Sequence, residues 1–576
     1  MKLPQLFTIE QIQVLKGPSG AVYGAGEPGG VINYVTKKPT YEQKNTAKVS
    51  VGNKDFLSGS VESSGPTNED ESQRYRVGVY SDGQNSYRNN VEEENQIIDL
   101  GYAWDIDTNN TLTVQYTDIH QYISGARLRG IPTDDDGNFL ADTSWNNNEK
   151  SDYQELDAQV FQTRLDHSIN SWLDSNVSVR YFENTETQKY HEINKLIDSN
   201  SDGTLDSTQR QYRDQVRTRK GITLAGNLIA ELGDHTVLVG SDYFHQKNSF
   251  LYSFADKADG VSNLSLTNPI YGQDDVNSYT MHLKTDETTT TDRLGVYAQD
   301  QWKLTDRLDL LVGARVDRFE EQYKDHKGDT ETDYDDTGYS TRLGATYRIN
   351  DNWKPYTSFS TGFIPQGAAD QQKSADGILF DPEESQQFEA GVRSYWFNNR
   401  LNINLAAYHI TRENILQEDP NNSNLLVSFG KVRSKGVELD ALVDITPRWV
   451  ANLSYAYNDT RVKESTKGIQ YANGDRFANT PYHQLGAWTR YDFPSITSSI
   501  AFGADYVSDQ INRQGQTVKP YTVYDMSWQT RYEDWKFQLN VKNLLDKEYA
   551  VSGFTDKIGS FVGERRRVYI SAAYDF

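Results

Sequence analysis

Oxygen donors are the chemistry-bearing residues of this chain, and they are spread along it rather than gathered. Asp198, Asn200, Asp202 and Asp206 alternate in one stretch at the spacing of a calcium-binding loop. Gly203 stands where such a loop turns sharply, Thr204 where it offers a carbonyl, and Leu205 where it takes an apolar residue. Gln209 replaces the bidentate Glu that would close the coordination, and no flanking helix pair is evident. Calcium at this loop is therefore an expectation weighed against a plain acidic turn. Two further carboxylates, Glu389 in QQFEAGVRS and Glu438 in SKGVELDA, lie within alternating patterns. Phe388, Ala390 and Val392 share one face around the first, as do Val437, Leu439 and Ala441 around the second. That parity turns both glutamates to the opposite, polar face. Nucleophile chemistry has no support. The chain has no Cys, and Gly17-Pro18-Ser19-Gly20-Ala21 lacks the last glycine of a nucleophile elbow. The 9 His are scattered without metal-ligand spacing. Neither an enzyme, nor an intrinsic cofactor, nor iron ligation by protein side chains is expected.

The elements that position these groups read as strands. With 576 residues, a 36% hydrophobic fraction and a mean hydropathy of -0.75, the chain has no run of about 18 apolar residues, which excludes a transmembrane helix. A barrel remains open to it, because strands that alternate apolar and polar residues average out as hydrophilic. The 37 Tyr and 10 Trp suit interfacial aromatic girdles. A net charge of -24 argues against nucleic acid as a partner. From Lys44 onward the sequence divides into about 22 alternating segments. Their connections are tight at Asp105–Asn110, Leu232-Gly233-Asp234, Asn350-Asp351-Asn352, Phe397–Arg400 and Phe493-Pro494-Ser495. Between them, 123–154, 188–215, 249–289 and 365–383 read as long polar loops. Short turns on one side and long loops on the other predict an all-β fold, a closed antiparallel transmembrane β-barrel of about 22 strands. In its last strand Val568, Ile570, Ala572, Tyr574 and Phe576 would face lipid, as would Trp535, Phe537, Leu539 and Val541 in the strand before.

In front of the strands lies KGPSGAVYGAGEPGGVINYVTKKP, residues Lys16–Pro39. Ile9-Glu10, Lys16-Gly17-Pro18-Ser19, Tyr23-Gly24, Pro28-Gly29-Gly30, Ile32-Asn33 and Thr36-Lys37-Lys38-Pro39 carry its pattern. Together they resemble the end of the plug domain in TonB-dependent outer-membrane receptors, in the ferric-siderophore branch. Closely spaced glycines suit a small domain that must pack inside a lumen.

The resemblance implies that residues 1–40 are the C-terminal part of a plug and 41–576 the barrel. It implies an outer-membrane protein of a Gram-negative bacterium, set in lipid and lipopolysaccharide. Such a receptor binds a ferric siderophore at the cell surface and imports it with energy from the TonB–ExbB–ExbD complex. Tyr23 matches a plug-apex tyrosine that touches the siderophore. Lys38 matches the basic plug residue that pairs with the lumen glutamates at Glu389 and Glu438, with Lys where the family usually has Arg. Phe576 matches the terminal aromatic read by the barrel-assembly machinery. The start, MKLPQLFTIEQ, carries no secretory signal. The signal, the TonB-contacting segment and most of the plug are therefore expected upstream of Met1. Acidic loops favour a neutral or cationic ferric complex. The alternatives are a passive porin-like or adhesin barrel, or a receptor for haem or cobalamin. Thr361-Gly362-Phe363-Ile364-Pro365-Gln366 reads as in siderophore receptors rather than haem receptors.

Overall fold

Two short strands, β1 (Ile9–Lys16) and β2 (Gly30–Thr36), pair antiparallel from Ile9↔Thr36 to Lys16↔Gly30. The connection between them carries a one-turn helix, α1 (Gly20–Tyr23). Around this unit the rest of the chain closes as a barrel. The structure is a computed structural model that describes residues 6–26, 28–374, 377–419, 422–428, 430–465 and 473–576.

The barrel has 22 strands. The first eight are β3 (Lys44–Gly52), β4 (Leu57–Pro66), β5 (Gln73–Asn85), β6 (Glu92–Asp107), β7 (Asn110–Ser124), β8 (Tyr153–Asn170), β9 (Leu173–Ile197) and β10 (Ser207–Leu232). Then come β11 (His235–Ala255), β12 (His282–Thr305), β13 (Leu308–Asp325), β14 (Thr330–Tyr347), β15 (Trp353–Ile364), β16 (Glu383–Trp396) and β17 (Leu401–Glu413). The last are β18 (Lys431–Thr446), β19 (Trp449–Glu464), β20 (His483–Phe493), β21 (Ser498–Val507), β22 (Tyr521–Tyr532), β23 (Trp535–Lys542) and β24 (Arg567–Asp575). Each strand pairs antiparallel with the next, and β24 pairs with β3 from Thr46↔Asp575 to Gly52↔Tyr569. Closure leaves no sheet edge, the condition a strand must meet in lipid.

Alternation builds the two faces. Val77 and Val79 on β5 and Ile98 and Leu100 on β6 are exposed on the outside. Trp104, Trp302, Trp353, Trp449 and Trp535 all stand exposed near the short-turn ends of their strands. Roughly eight residues further along, about 26 Å at ~3.3 Å per residue, Phe161, Tyr181, Tyr243, Tyr339 and Phe388 form a second exposed aromatic ring. Two girdles enclosing an apolar band are what a barrel needs to sit in a bilayer.

The expected strands all form, but two run much longer than their apolar pattern. The stretch 188–215, read from sequence as a loop, is mostly strand: β9 reaches Ile197 and β10 begins at Ser207. Beyond the outer girdle both faces are polar, so the alternation signal stops while the hydrogen-bond ladder continues from Gln188↔Gln215 to Ser207↔Ile197. The loops above the rim fold on one another. Trp145, Ile131, Ile193, Leu264 and Leu266 make a buried cluster there, and the Trp145 indole donates to the Ser265 carbonyl at 2.9 Å.

Candidate functional site

The plug segment is held by close approach and by charge. α1 lies against β12 to β15. A Cβ on Gly20 would meet Ser340 Oγ at 2.5 Å and Gly362 Cα at 3.2 Å, so only glycine lets the backbone come this near. Gly24 has φ +77°, and a Cβ there would meet Arg315 Nη2 at 3.0 Å. Arg315 is buried. Its guanidinium donates to Asp242 Oδ2 at 2.6 Å and Asp317 Oδ1 at 2.6 Å, and reaches the Val22 carbonyl at 3.4 Å. One arginine thus ties two barrel strands, β11 and β13, to α1. Tyr23 ends the helix with 48% of its surface exposed.

The expected Lys38 cluster does not form. Lys38 lies past the end of β2, exposed, and among the described residues it makes no ion pair. Lys16, the last residue of β1, takes its place and donates to Glu438 Oε2 at 2.6 Å and Asp440 Oδ2 at 3.2 Å. Glu389 accepts instead from the Tyr356 hydroxyl and the Gln387 amide, each at 2.9 Å. Lys37 finds Glu62 at 2.8 Å, and Glu62 also takes Arg76, which bonds Asp99 at 3.1 Å. Lys16, Gly17, Pro28, Gln387, Glu389 and Glu438 line a cavity of about 370 Å³ between the plug hairpin and the wall. The Lys37, Lys16 and Arg315 networks were not singled out from sequence. A signal existed for the last: Arg315 and Asp317 share one face of β13, two charges opposite Ala314 and Val316.

Above the rim, the Asp198–Asp206 loop satisfies itself. Asp198 accepts from the Gly203 amide at 2.7 Å and Asp202 from the Thr204 amide at 2.8 Å. Asp206 accepts from the Ser199 amide at 2.9 Å. Those amides hold the Asp202 and Asp206 carboxyls below their ordinary range. Among the described residues, its carboxylates do not converge as His120, Glu155 and Asp157 do. That second trio is assembled by the β7–β8 register, with His120 Nδ1 2.7 Å from Asp157 Oδ1 on the outer surface. Deeper in the loop layer His191 lies buried, Nδ1 2.9 Å from Asp152 Oδ2 and Nε2 3.5 Å from Asp274 Oδ2. Burial opposes its charge, but the two carboxylates raise its pKa above the ordinary imidazole value.

At the barrel seam, Phe576 pairs with β3. Its amide donates to the Asn45 carbonyl at 3.0 Å, the Asn45 side chain returns a bond to its carbonyl at 2.9 Å, and its ring stacks on Tyr574 at 5.9 Å.

The closed barrel is matched over residues 105–544 by the family "TonB dependent receptor-like, beta-barrel". The chain belongs to this family. The metal-pseudopaline receptor CntO of Pseudomonas aeruginosa (strain UCBPP-PA14) is 25% identical over 620 residues, covering 100% of this chain and 81% of that protein. The ferrioxamine B receptor of Salmonella typhimurium (strain SL1344) is 27% identical over 601 residues, covering 99% and 80%. In fold, the siderophore receptor PiuA from Acinetobacter baumannii superposes with a TM-score of 0.87 at 20% identity, over 99% of this chain and 87% of that one. This TonB-dependent receptor barrel resides in the outer membrane of a Gram-negative bacterium. The short turns are therefore periplasmic and the loop layer extracellular.

Proposed function

We propose that the protein captures a ferric siderophore from the extracellular side and admits it through the lumen when TonB–ExbB–ExbD displaces the plug. The carrying observation is α1, wedged in the lumen with Tyr23 exposed and anchored by Arg315. A segment docked in the lumen through breakable contacts fits transport better than passive conduction. The plug-wall contacts that water reaches, Lys16 with Glu438 above all, are of the weak and breakable kind. Relatives named as receptors for ferrioxamine B and metal-pseudopaline support the same ligand class. No bond is made or broken by the protein in this reading. The test is radioiron uptake in cells lacking other siderophore receptors. Uptake should require both the protein and TonB, and Tyr23→Ala should weaken ferric-siderophore binding roughly tenfold, as loss of an aromatic contact does. TonB-independent leakage of unrelated solutes at similar rates would favour the porin reading instead.

Calcium binding at Asp198, Asn200, Asp202, Thr204 and Asp206 is kept as a proposal, supported by donor spacing and by Gly203 at φ +90°. Calorimetry should show a weak site that Asp198→Ala with Asp202→Ala abolishes. Identical heats in both proteins would leave a self-satisfied turn.

A further inference from the structure

In a chain of net charge -24, the lumen wall above α1 is basic and aromatic. Asp242, which bonds Arg315, fixes the inward face of β11, and Phe244, Phe250 and Tyr252 share that face by strand parity. Arg217 of β10 stands in register with Phe250 and lies 4.3 Å from its ring centroid. Arg293 lies 5.6 Å from the Phe244 ring, and Arg180 lies 5.7 Å from Phe182. Phe182 and Phe244 stack 6.5 Å apart at 13°. This wall begins at the plug. Arg293 sits just up β12 from Tyr297, whose ring lies 5.3 Å from the Arg315 guanidinium.

Two of these arginines lack a counter-charge. Among the described residues, neither Arg180 nor Arg217 makes an ion pair with a carboxylate. Glu186 faces Arg217 in register, but it accepts from the Gln154 and Gln188 amides at 2.9 and 2.6 Å and reaches only Arg219, at 3.9 Å. Lower on the same wall, Arg315 is by contrast neutralised by Asp242 and Asp317. A second observation points to a ligand here. Asn184 Oδ1, Asn248 Oδ1, the Tyr252 hydroxyl and Arg293 Nε are buried in this wall without a hydrogen-bond partner, a state native proteins rarely leave unexplained. Asn184 and Asn248 flank Arg219 in register.

We propose that this wall selects a ferric chelate of net negative charge with aryl ligand groups, the tris-catecholate class, over neutral or cationic chelates. The inference rests on the siderophore reading above. Guanidinium groups meet anionic phenolate oxygens, and the rings of Phe182, Phe244 and Phe250 take aryl faces. Amide hydrogens of such a ligand satisfy Asn184 and Asn248. The acidic loops pointed from sequence to a neutral or cationic complex. Net charge counts the whole surface, whereas the ligand meets this wall.

The test compares two hexadentate ferric complexes by fluorescence quenching on the detergent-solubilised protein: a tris-catecholate carrying net negative charge and an uncharged tris-hydroxamate. The wild type should bind the catecholate at least roughly tenfold more tightly, with the margin shrinking in high salt. Arg180→Gln with Arg217→Gln should collapse that ratio, while Arg318→Gln on the outer surface should leave it intact. Tighter binding of the hydroxamate, or a ratio unchanged in the double variant, overturns the inference and spares the siderophore reading. Binding of neither complex overturns both. An unchanged heat-dependent gel shift in each variant confirms that the barrel is folded.

Discussion

Arg315 and Lys16 are both plug anchors, but their surroundings set different energies. Arg315 is buried between two carboxylates, one of which, Asp317, is also buried. Removing one partner of such a group typically costs about 3 kcal/mol or more, because the orphaned charges stay desolvated. Arg315→Gln should therefore loosen residues 17–30, raising their amide exchange on the order of a hundredfold relative to the barrel strands. Adding Asp317→Asn should recover part of that protection. Unchanged exchange in the single variant would mean that the arginine does not hold α1. Lys16 is half exposed, and its pair with Glu438 is of the kind worth under about 1 kcal/mol. Lys16→Gln should shift the same exchange only a few-fold, less in high salt, and Lys38→Gln not at all. An effect of Lys38→Gln as large as that of Arg315→Gln would restore the cluster expected from sequence.

Strands announce themselves when one face is apolar, which is why 22 segments were legible from Lys44 onward. The outer halves of β9 and β10 were not, because polar residues on both faces carry no period. The loop layer they support was hidden for the same reason. Its buried groups, His191 with Asp152, Asp274, Arg210, Tyr212 and Tyr279 around it, come from segments far apart in the chain. No spacing rule joins them. Their chemistry gives the layer a pH dependence. His191 has a folded pKa above the ~6.5 of an unfolded chain. Its stabilising contribution is therefore complete below about pH 6.5 and is lost as pH climbs through the raised folded value. Proteolysis of 257–279 should be slow in mild acid and accelerate in alkaline buffer. His191→Gln should abolish that difference while raising the acid-side rate. A wild type equally protected across the range would remove the switch.

Closure is a property of the whole molecule that neither a residue nor a strand predicts alone. The family resemblance pointed to the plug segment, and Tyr23 within it ends α1 half exposed. The ion-pair partners were misassigned because register inside a lumen depends on how the hairpin docks. The wall charge was missed because summing charge over a chain erases which face it lies on. The seam between β3 and β24 joins residues more than 500 apart in sequence, with Asn45 and Phe576 exchanging two hydrogen bonds at its end. Phe576 has two separable roles there, a seam contact and the proposed signal to the assembly machinery. Asn45→Ala removes the side-chain bond and keeps the aromatic residue. Phe576→Ala keeps the backbone bond and removes the ring. If Phe576 acts as a signal, Phe576→Ala should cut outer-membrane yield several-fold, while the assembled fraction keeps a gel-shift temperature close to that of wild type. Asn45→Ala should leave yield near normal and lower that temperature modestly, because it also removes the acceptor of Gln43 and Ser63. Equal losses of yield and heat resistance in both variants would reduce Phe576 to a seam residue.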